Sequence, residues 1–266
     1  MARLRFTILG CGSSGGVPRL GGHWGDCDPE NPKNRRRRCS MLVERVTGAG
    51  TTTVLIDTSP DMRAQLLDAG VGHLDGVVWT HAHADHVHGL DDLRMIVFNR
   101  RRILDVWADA PTWAALDHRF GYAFETPPGS SYPPILTRHP FEGTITVDGA
   151  GGPLTVTPVP VGHGDMGALG LRIGDLVYMP DVNTIPPEAE WLITDLKVWV
   201  LDALRRTPHP SHLSYGEALA WIERMTPERA VLTNMHIDLD HATVEAETPD
   251  HVSAAFDGMV IELEDD

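Results

Sequence analysis

The chain predicts an α/β protein, and three observations carry that expectation. Runs rich in β-branched residues recur along its length, glycine and proline punctuate them, and helical patterns fall between them in both halves, as in layered architectures. With 266 residues, 42% of them hydrophobic and 22% charged, the chain has the composition of an ordinary globular protein and can bury a sizeable core. One domain over residues 1–266 is expected.

Residues 3–9 (RLRFTIL), 40–46 (SMLVERV) and 52–57 (TTVLID) read as strands. PDMRAQLLDAG follows as a helix, with Pro60 near its start and Gly70 as its stop. GVVWT (76–80) is a short, wholly apolar strand. The stretch from Pro111 to Leu136 carries five prolines and scattered aromatics, which predicts a helix and then an irregular loop that could serve as a lid. Residues 153–161, 169–173 and 175–180 read as strands, and Pro158 and Pro160 place the first at a sheet edge. PPEAEWLITDL (186–196) should be a helix and KVWVLDAL (197–204) a buried strand. Ser214 and Glu217 fit a capping box for a helix whose Ala218, Leu219, Ile222 and Met225 share one face and which Pro227 ends. Residues 228–236 and 258–264 complete the strands.

The formal charge of −15 argues against an extended nucleic-acid surface, which needs a basic face. The start holds too short an apolar segment for a signal peptide, and no run of about 18 apolar residues occurs, so a soluble protein is expected. Cys11, Cys27 and Cys39 are odd in number with no close pair, which predicts no disulfide framework and a reducing, cytoplasmic home.

The most informative stretch is VVWTHAHADHVHGLDDL, residues 77–93. His81, His83, Asp85 and His86 put four lone-pair donors in six residues directly after an apolar strand. Without a cation, a carboxylate and several rings at that place would carry an appreciable desolvation cost. Imidazole and carboxylate donors suit zinc, manganese or iron. His81 and His83 point to one side and Asp85 and His86 belong to the next turn, so two ions are plausible. Further donors occupy similar strand-end contexts: His163, Asp181 and His236. His88 is read as structural, and His23, His73, His118, His139, His241 and His251 as solvent or packing residues.

THAHADH resembles the metal signature of the metallo-β-lactamase-fold hydrolases. With LGCGSSGGVP (9–18), RRCS (37–40), LIDTSPD (55–61), VGHGD (161–165), MPDV (179–182) and FDGM (256–259), nearly the whole chain resembles the branch containing phosphoribosyl 1,2-cyclic phosphate phosphodiesterase. The resemblance implies a four-layer αββα sandwich with two divalent ions, zinc or manganese. It implies that His81, His83 and His163 hold one ion, Asp85 and His86 the other, and Asp181 bridges. Asp57 then orients the ligand loop, and His212 stands near the leaving group, so that His212 and Asp85 are the candidate catalytic residues.

Two departures stand out. In LTNMH the family's last histidine ligand is Asn234, and replacement by His236, weak ligation by Asn234 and loss of the second ion all stay open. Cys27 stands alone where the cyclic phosphodiesterase has a cysteine cluster for an accessory zinc, so that zinc is expected to be absent.

Paired divalent ions lower the pKa of water toward ~7 and clamp a phosphodiester, while His212 as imidazolium could protonate the departing alkoxide. The basic run Lys33 and Arg35–Arg38 is read first as a solvated loop, and otherwise as an attractor for an anionic substrate, with Arg38 and Arg94 as candidate substrate-binding residues. The expected function is a metal-dependent phosphodiesterase acting on a small cyclic phosphate or nucleotide-like ester, with homodimerisation left open. An RNA-processing nuclease, a lactonase or thioesterase, and a non-catalytic protein like that of the pyrroloquinoline quinone pathway branch are the alternatives.

Overall fold

The β-branched runs form strands and the patterned segments between them form helices in the computed structural model, which describes residues 2–265. In chain order the strands are β1 (Ala2–Gly10), β2 (Ser40–Thr47), β3 (Gly50–Ile56), β4 (Gly76–Val78), β5 (Leu104–Ala108), β6 (Leu136–Pro140), β7 (Ile145–Val147), β8 (Leu154–His163), β9 (Met166–Ile173), β10 (Leu176–Met179), β11 (Val198–Asp202), β12 (Arg229–Thr233), β13 (Val252–Ala254) and β14 (Met259–Asp265). The α-helices are α1 (Met62–Asp68), α2 (Ala84–Val87), α3 (Leu93–Arg100), α4 (Ala110–Phe120), α5 (Tyr215–Met225) and α6 (His241–Glu247). They build two seven-stranded sheets, ordered β14-β1-β2-β3-β4-β5-β6 and β13-β12-β11-β10-β9-β8-β7.

Backbone proximity divides the chain into two compact units, one of Met1–Leu9, Ser40–Thr155 and Val260–Asp266, the other of Gly10–Cys39 and Val156–Met259. In the first unit β3, β4, β5 and β6 run parallel, so their carboxyl ends and the loops that leave them lie along one sheet edge. Apolar residues of α1, α3 and α4, among them Leu66, Ile96 and Leu116, pack with Leu55, Val77 and Trp79 into one core. Trp79 stacks edge-on against Trp113 at 6.0 Å and donates its indole N–H to Thr58, which anchors the chain directly before the histidine motif. In the second unit β10, β11, β12 and β13 are parallel and again present their carboxyl ends together. β8 and β9 form an antiparallel hairpin beside them.

Two expectations change. β8 is not the edge strand of its sheet, because the three-residue β7 lies outside it; within β8, Pro158 and Pro160 face Leu171 and Leu169 of β9. PPEAEWLITDL forms a 3₁₀ helix over Pro187–Ile193, burying only Ala189 and Ile193. Two prolines at its start and an apolar face of two residues favour the tighter turn. The capping box is present as expected: the Ser214 side chain accepts from Glu217 N, and the Glu217 carboxylate accepts from Ser214 N. Beyond the expected helix α4, residues 124–135 are irregular, tied down at their ends by buried Phe124 and Ile135.

Candidate metal centre

The histidine motif leaves β4 and turns into α2, with His83 as the extended residue before the helix and Asp85 in its first turn. Two chain segments meet beneath it. Gly89 N donates to Thr58 O at 2.9 Å, and a Cβ at Gly89 would stand 2.1 Å from Ser59 O, so only glycine allows this approach. The contact brings Asp57, in the left-handed region at φ 61°, under the motif.

Asp57 is fully buried, and its carboxylate organises the imidazoles. It accepts from Thr80 N at 2.8 Å, from the Thr80 hydroxyl at 2.8 Å and from His86 Nδ1 at 2.7 Å. Because the Thr80 hydroxyl gives its proton to Asp57, it accepts from His81 Nδ1 at 3.0 Å. Both rings therefore carry their proton on Nδ1 and present Nε2 as the lone-pair nitrogen, the tautomer that metal ligation needs. Burial pushes the Asp57 carboxyl above the usual range, and the charge and hydrogen bond of His86 oppose that rise. His86 Nε2 lies 3.6 Å from an Asp85 oxygen.

The second unit repeats the device at its own strand ends. His163, the last residue of β8, donates Nδ1–H to Ser211 O at 2.6 Å, and its Nε2 lies 3.6 Å from Asp181, just past β10. Asp202, the last residue of β11, is fully buried and accepts from His212 Nδ1 at 2.8 Å, Val182 N at 3.1 Å and Asn234 Nδ2 at 3.2 Å. Burial raises its carboxyl to about 7, while the hydrogen bond from His212 holds it down. The His163 and His212 rings meet edge-on at 4.6 Å.

His81, His83, His163 and Asp181 each offer a ligand atom, and these atoms all lie within 4.8 Å of one another. Three imidazole nitrogens and one carboxylate oxygen form a donor set suited to a divalent first-row cation. Asp85 and His86 stand outside that group as a pair of their own. So do both residues proposed for the missing ligand position. His236 gives Nδ1 to Asp238 at 3.1 Å and faces the Arg19 guanidinium with Nε2, so both ring nitrogens are engaged away from the four donors. Asn234 adopts φ 60°, and its side chain joins Asp202, His212 and Cys39.

The basic run is a solvated loop only in part, with Lys33 and Arg35 exposed and Arg36, Arg37 and Arg38 buried or half-buried. Arg36 is buried and donates to Leu239 O at 2.7 Å and Asn34 Oδ1 at 3.2 Å. Arg37 pairs with Asp257 at 3.0 Å, Arg35 lies over Trp24 and Lys33 over Phe256. Arg38 is half-buried beside Gly16. Arg94 is engaged with Asp91 at 3.1 Å, an acid that also accepts from Tyr122. His88 closes α2, and its exposed ring meets that of Phe120 edge-on at 5.7 Å. Asp202 escaped the sequence reading; an acid ending an apolar strand, as Asp57 does, was the available signal.

Residues 52–237 match the family described as the beta-lactamase superfamily domain, and the chain belongs to it, as a metallo-β-lactamase-fold hydrolase with a His/Asp group fit for divalent metal. Within that class it falls in a PhnP-like branch. The crystal structure of a new diphosphatase from the PhnP family is 32% identical and superimposes with a TM-score of 0.87, covering 99% of this chain and 98% of that one. That likeness also establishes the expected α/β sandwich fold. Zinc-bound PqqB from Methylobacterium extorquens, 19% identical, shares the fold with a TM-score of 0.73 over 97% of this chain and all of that one. A Porphyromonas gingivalis protein named octanoyltransferase is 34% identical over 96% of this chain, which spans about half (51%) of that protein's length. The three cysteines are free and buried, and among the described residues no helix is long and apolar enough to cross a membrane.

Proposed function

We propose that the chain is a phosphodiesterase that hydrolyses a small cyclic phosphate or a nucleotide-like phosphodiester with divalent metal. One observation carries the reading: His212, held through Nδ1 by buried Asp202, stands against the ligand histidine His163. A held imidazole beside a metal site supplies the proton that a departing alkoxide needs. The likeness to a diphosphatase of the PhnP family supports phosphoryl over acyl chemistry.

His81, His83, His163 and Asp181 would hold one cation, and Asp85 with His86 would contribute to a second. Zinc or manganese bound there supplies an activated water and neutralises charge on the phosphoryl oxygens. The remaining work falls to this chain's residues. Asp57, directly and through Thr80, keeps His86 and His81 in the ligating tautomer. His212 donates its Nε2 proton to the leaving oxygen, and Asp202 steadies the ring through Nδ1. Asn234 donates to the same carboxylate and so supports His212.

A second reading, acyl ester hydrolysis, draws on the relative named octanoyltransferase. One assay separates them. The purified chain is loaded with zinc or manganese, its metal content measured, and bis(p-nitrophenyl) phosphate compared with p-nitrophenyl acetate. Phosphodiester turnover is expected; acyl turnover alone selects the second reading. A loaded protein inert to both would speak for a binding role.

A further inference from the structure

One helix of the first unit reaches the histidine motif from outside. α4 is capped at its start by Asp109, which accepts from Thr112 N at 3.0 Å, and it buries Leu116 in the core. Trp113 fixes the helix further: it stands edge-on to Trp79 at 6.0 Å and to Phe124 at 5.4 Å, and it donates its indole N–H to His139 O at 3.2 Å. From the last turn of this anchored helix, Arg119 Nη1 donates to Ala82 O at 2.5 Å. Ala82 is the residue between His81 and His83, whose rings lie 4.7 Å apart. Ordinary peptide geometry then keeps the bonded nitrogen within about 6 Å of the His83 Cα.

That bond uses one of the five N–H groups of a guanidinium. Arg119 is exposed, as His83 is, and among the described residues it pairs with no carboxylate. The nearby acids are spent on other arginines: Asp117 and Glu125 on Arg138, and Asp91 on Arg94. Two residues turn a helix by about 200°, so Asp117 leaves α4 on the side away from Arg119. Arg63 and Arg101 of the same unit also lack a carboxylate partner, but neither is bonded to the motif. Arg119 differs from them in place, as a planar fork fixed at one nitrogen by a carbonyl of the motif and exposed beyond it. A side chain held in this way loses little freedom when it takes an anion.

We infer that Arg119 is a substrate-binding residue: with Nη1 on Ala82 O, its remaining N–H groups take a non-bridging oxygen of the phosphodiester at the metal centre. The inference rests on the phosphodiesterase reading and deepens it, because it places the phosphoryl contact on α4 and not on Arg38 or Arg94. A donor fixed before the reaction stabilises charge that develops on those oxygens without reorganising, so its effect falls on kcat.

The test uses the full chain loaded with zinc, with bound metal measured in every sample and turnover of bis(p-nitrophenyl) phosphate expressed per bound ion. In Arg119→Gln, kcat/KM should fall about 10- to 100-fold, mainly through kcat, as for one charge-assisted hydrogen bond lost. Inorganic phosphate, titrated in a calorimeter, should bind this variant about tenfold more weakly than wild type. In Arg119→Ala, guanidinium chloride below denaturing concentration should restore part of the turnover, while sodium chloride at equal concentration should not. Turnover per bound ion within twofold of wild type in both variants overturns the inference. A loss that guanidinium leaves unrelieved assigns Arg119 to anchoring Ala82 alone and overturns it as well. If the wild type does not cleave the diester, the phosphodiesterase reading fails and the phosphate titration decides the contact; equal affinities of wild type and Arg119→Gln then overturn it.

Discussion

Asp202→Asn isolates the support of the proposed proton donor. The substitution keeps side-chain volume and removes a fully buried charge that accepts from His212 Nδ1, Val182 N and Asn234 Nδ2 at 2.8, 3.1 and 3.2 Å. A hydrogen bond to an ionised group is worth about 1.5–3 kcal/mol against about 1 for a neutral pair. The charged His212 ring that donates a proton therefore loses about 1–2 kcal/mol of support, or roughly 5- to 30-fold in kcat. One of the three donors must also meet an amide N–H, at about 1–3 kcal/mol of stability. The assay is turnover of bis(p-nitrophenyl) phosphate across pH, with metal content and thermal midpoint measured on the same samples. The wild-type profile should carry an acidic limb near 7, where the buried Asp202 carboxyl takes up a proton and no longer supports His212 as a charged acceptor, and that limb should vanish in the variant. A kcat within twofold of wild type and a retained limb, at equal metal content, would refute the reasoning.

Three further outcomes are expected. His81→Ala or His163→Ala should lose at least one equivalent of bound zinc on dialysis, and Asp57→Ala should weaken metal affinity about 10- to 100-fold by freeing two ring tautomers, both read by plasma mass spectrometry; undiminished metal in all three would exclude the site. Ser214→Ala breaks the capping box of α5 and should cost about 1 kcal/mol, lowering the thermal midpoint by about 2–4 °C in calorimetry. Asp240 is held at about 2: desolvation pushes its carboxyl up, but bonds from Thr243, Asp28 N and Asn34 outweigh it. Because that value lies below the unfolded one, its contribution of about 2 kcal/mol is complete above pH ~4 and lost as pH falls to ~2. Denaturant unfolding of Asp240→Asn should show a smaller loss of stability over that interval than wild type.

Much of the site was legible because ligand chemistry is local. His81, His83, Asp85 and His86 sit within six residues, and no arrangement without a cation explains them so well. His163 and Asp181 could be named only as donors at strand ends, since their meeting with the motif depends on long-range placement. The same limit left LTNMH open. Two-residue spacing in an extended segment put His236 beside Asn234, but Asn234 turns left-handed at φ 60°, which breaks the strand and aims His236 at Asp238 and Arg19. The basic run was legible only in part for a different reason: composition records charge, while burial of Arg36 against the carbonyl of Leu239, 203 residues away, is a tertiary fact.

By itself the sequence determined the α/β alternation, the capped helix α5 and the metal-binding motif, because periodicity, caps and close ligand spacing act over a few residues. Tertiary structure alone decided which acids hold which histidines: Asp57 with His81 and His86, and Asp202 with His212. Those pairings join residues 10 to 29 positions apart: sheet order sets Asp57 beside the histidines that follow the neighbouring β4, and the loop leaving β11 folds His212 back onto Asp202.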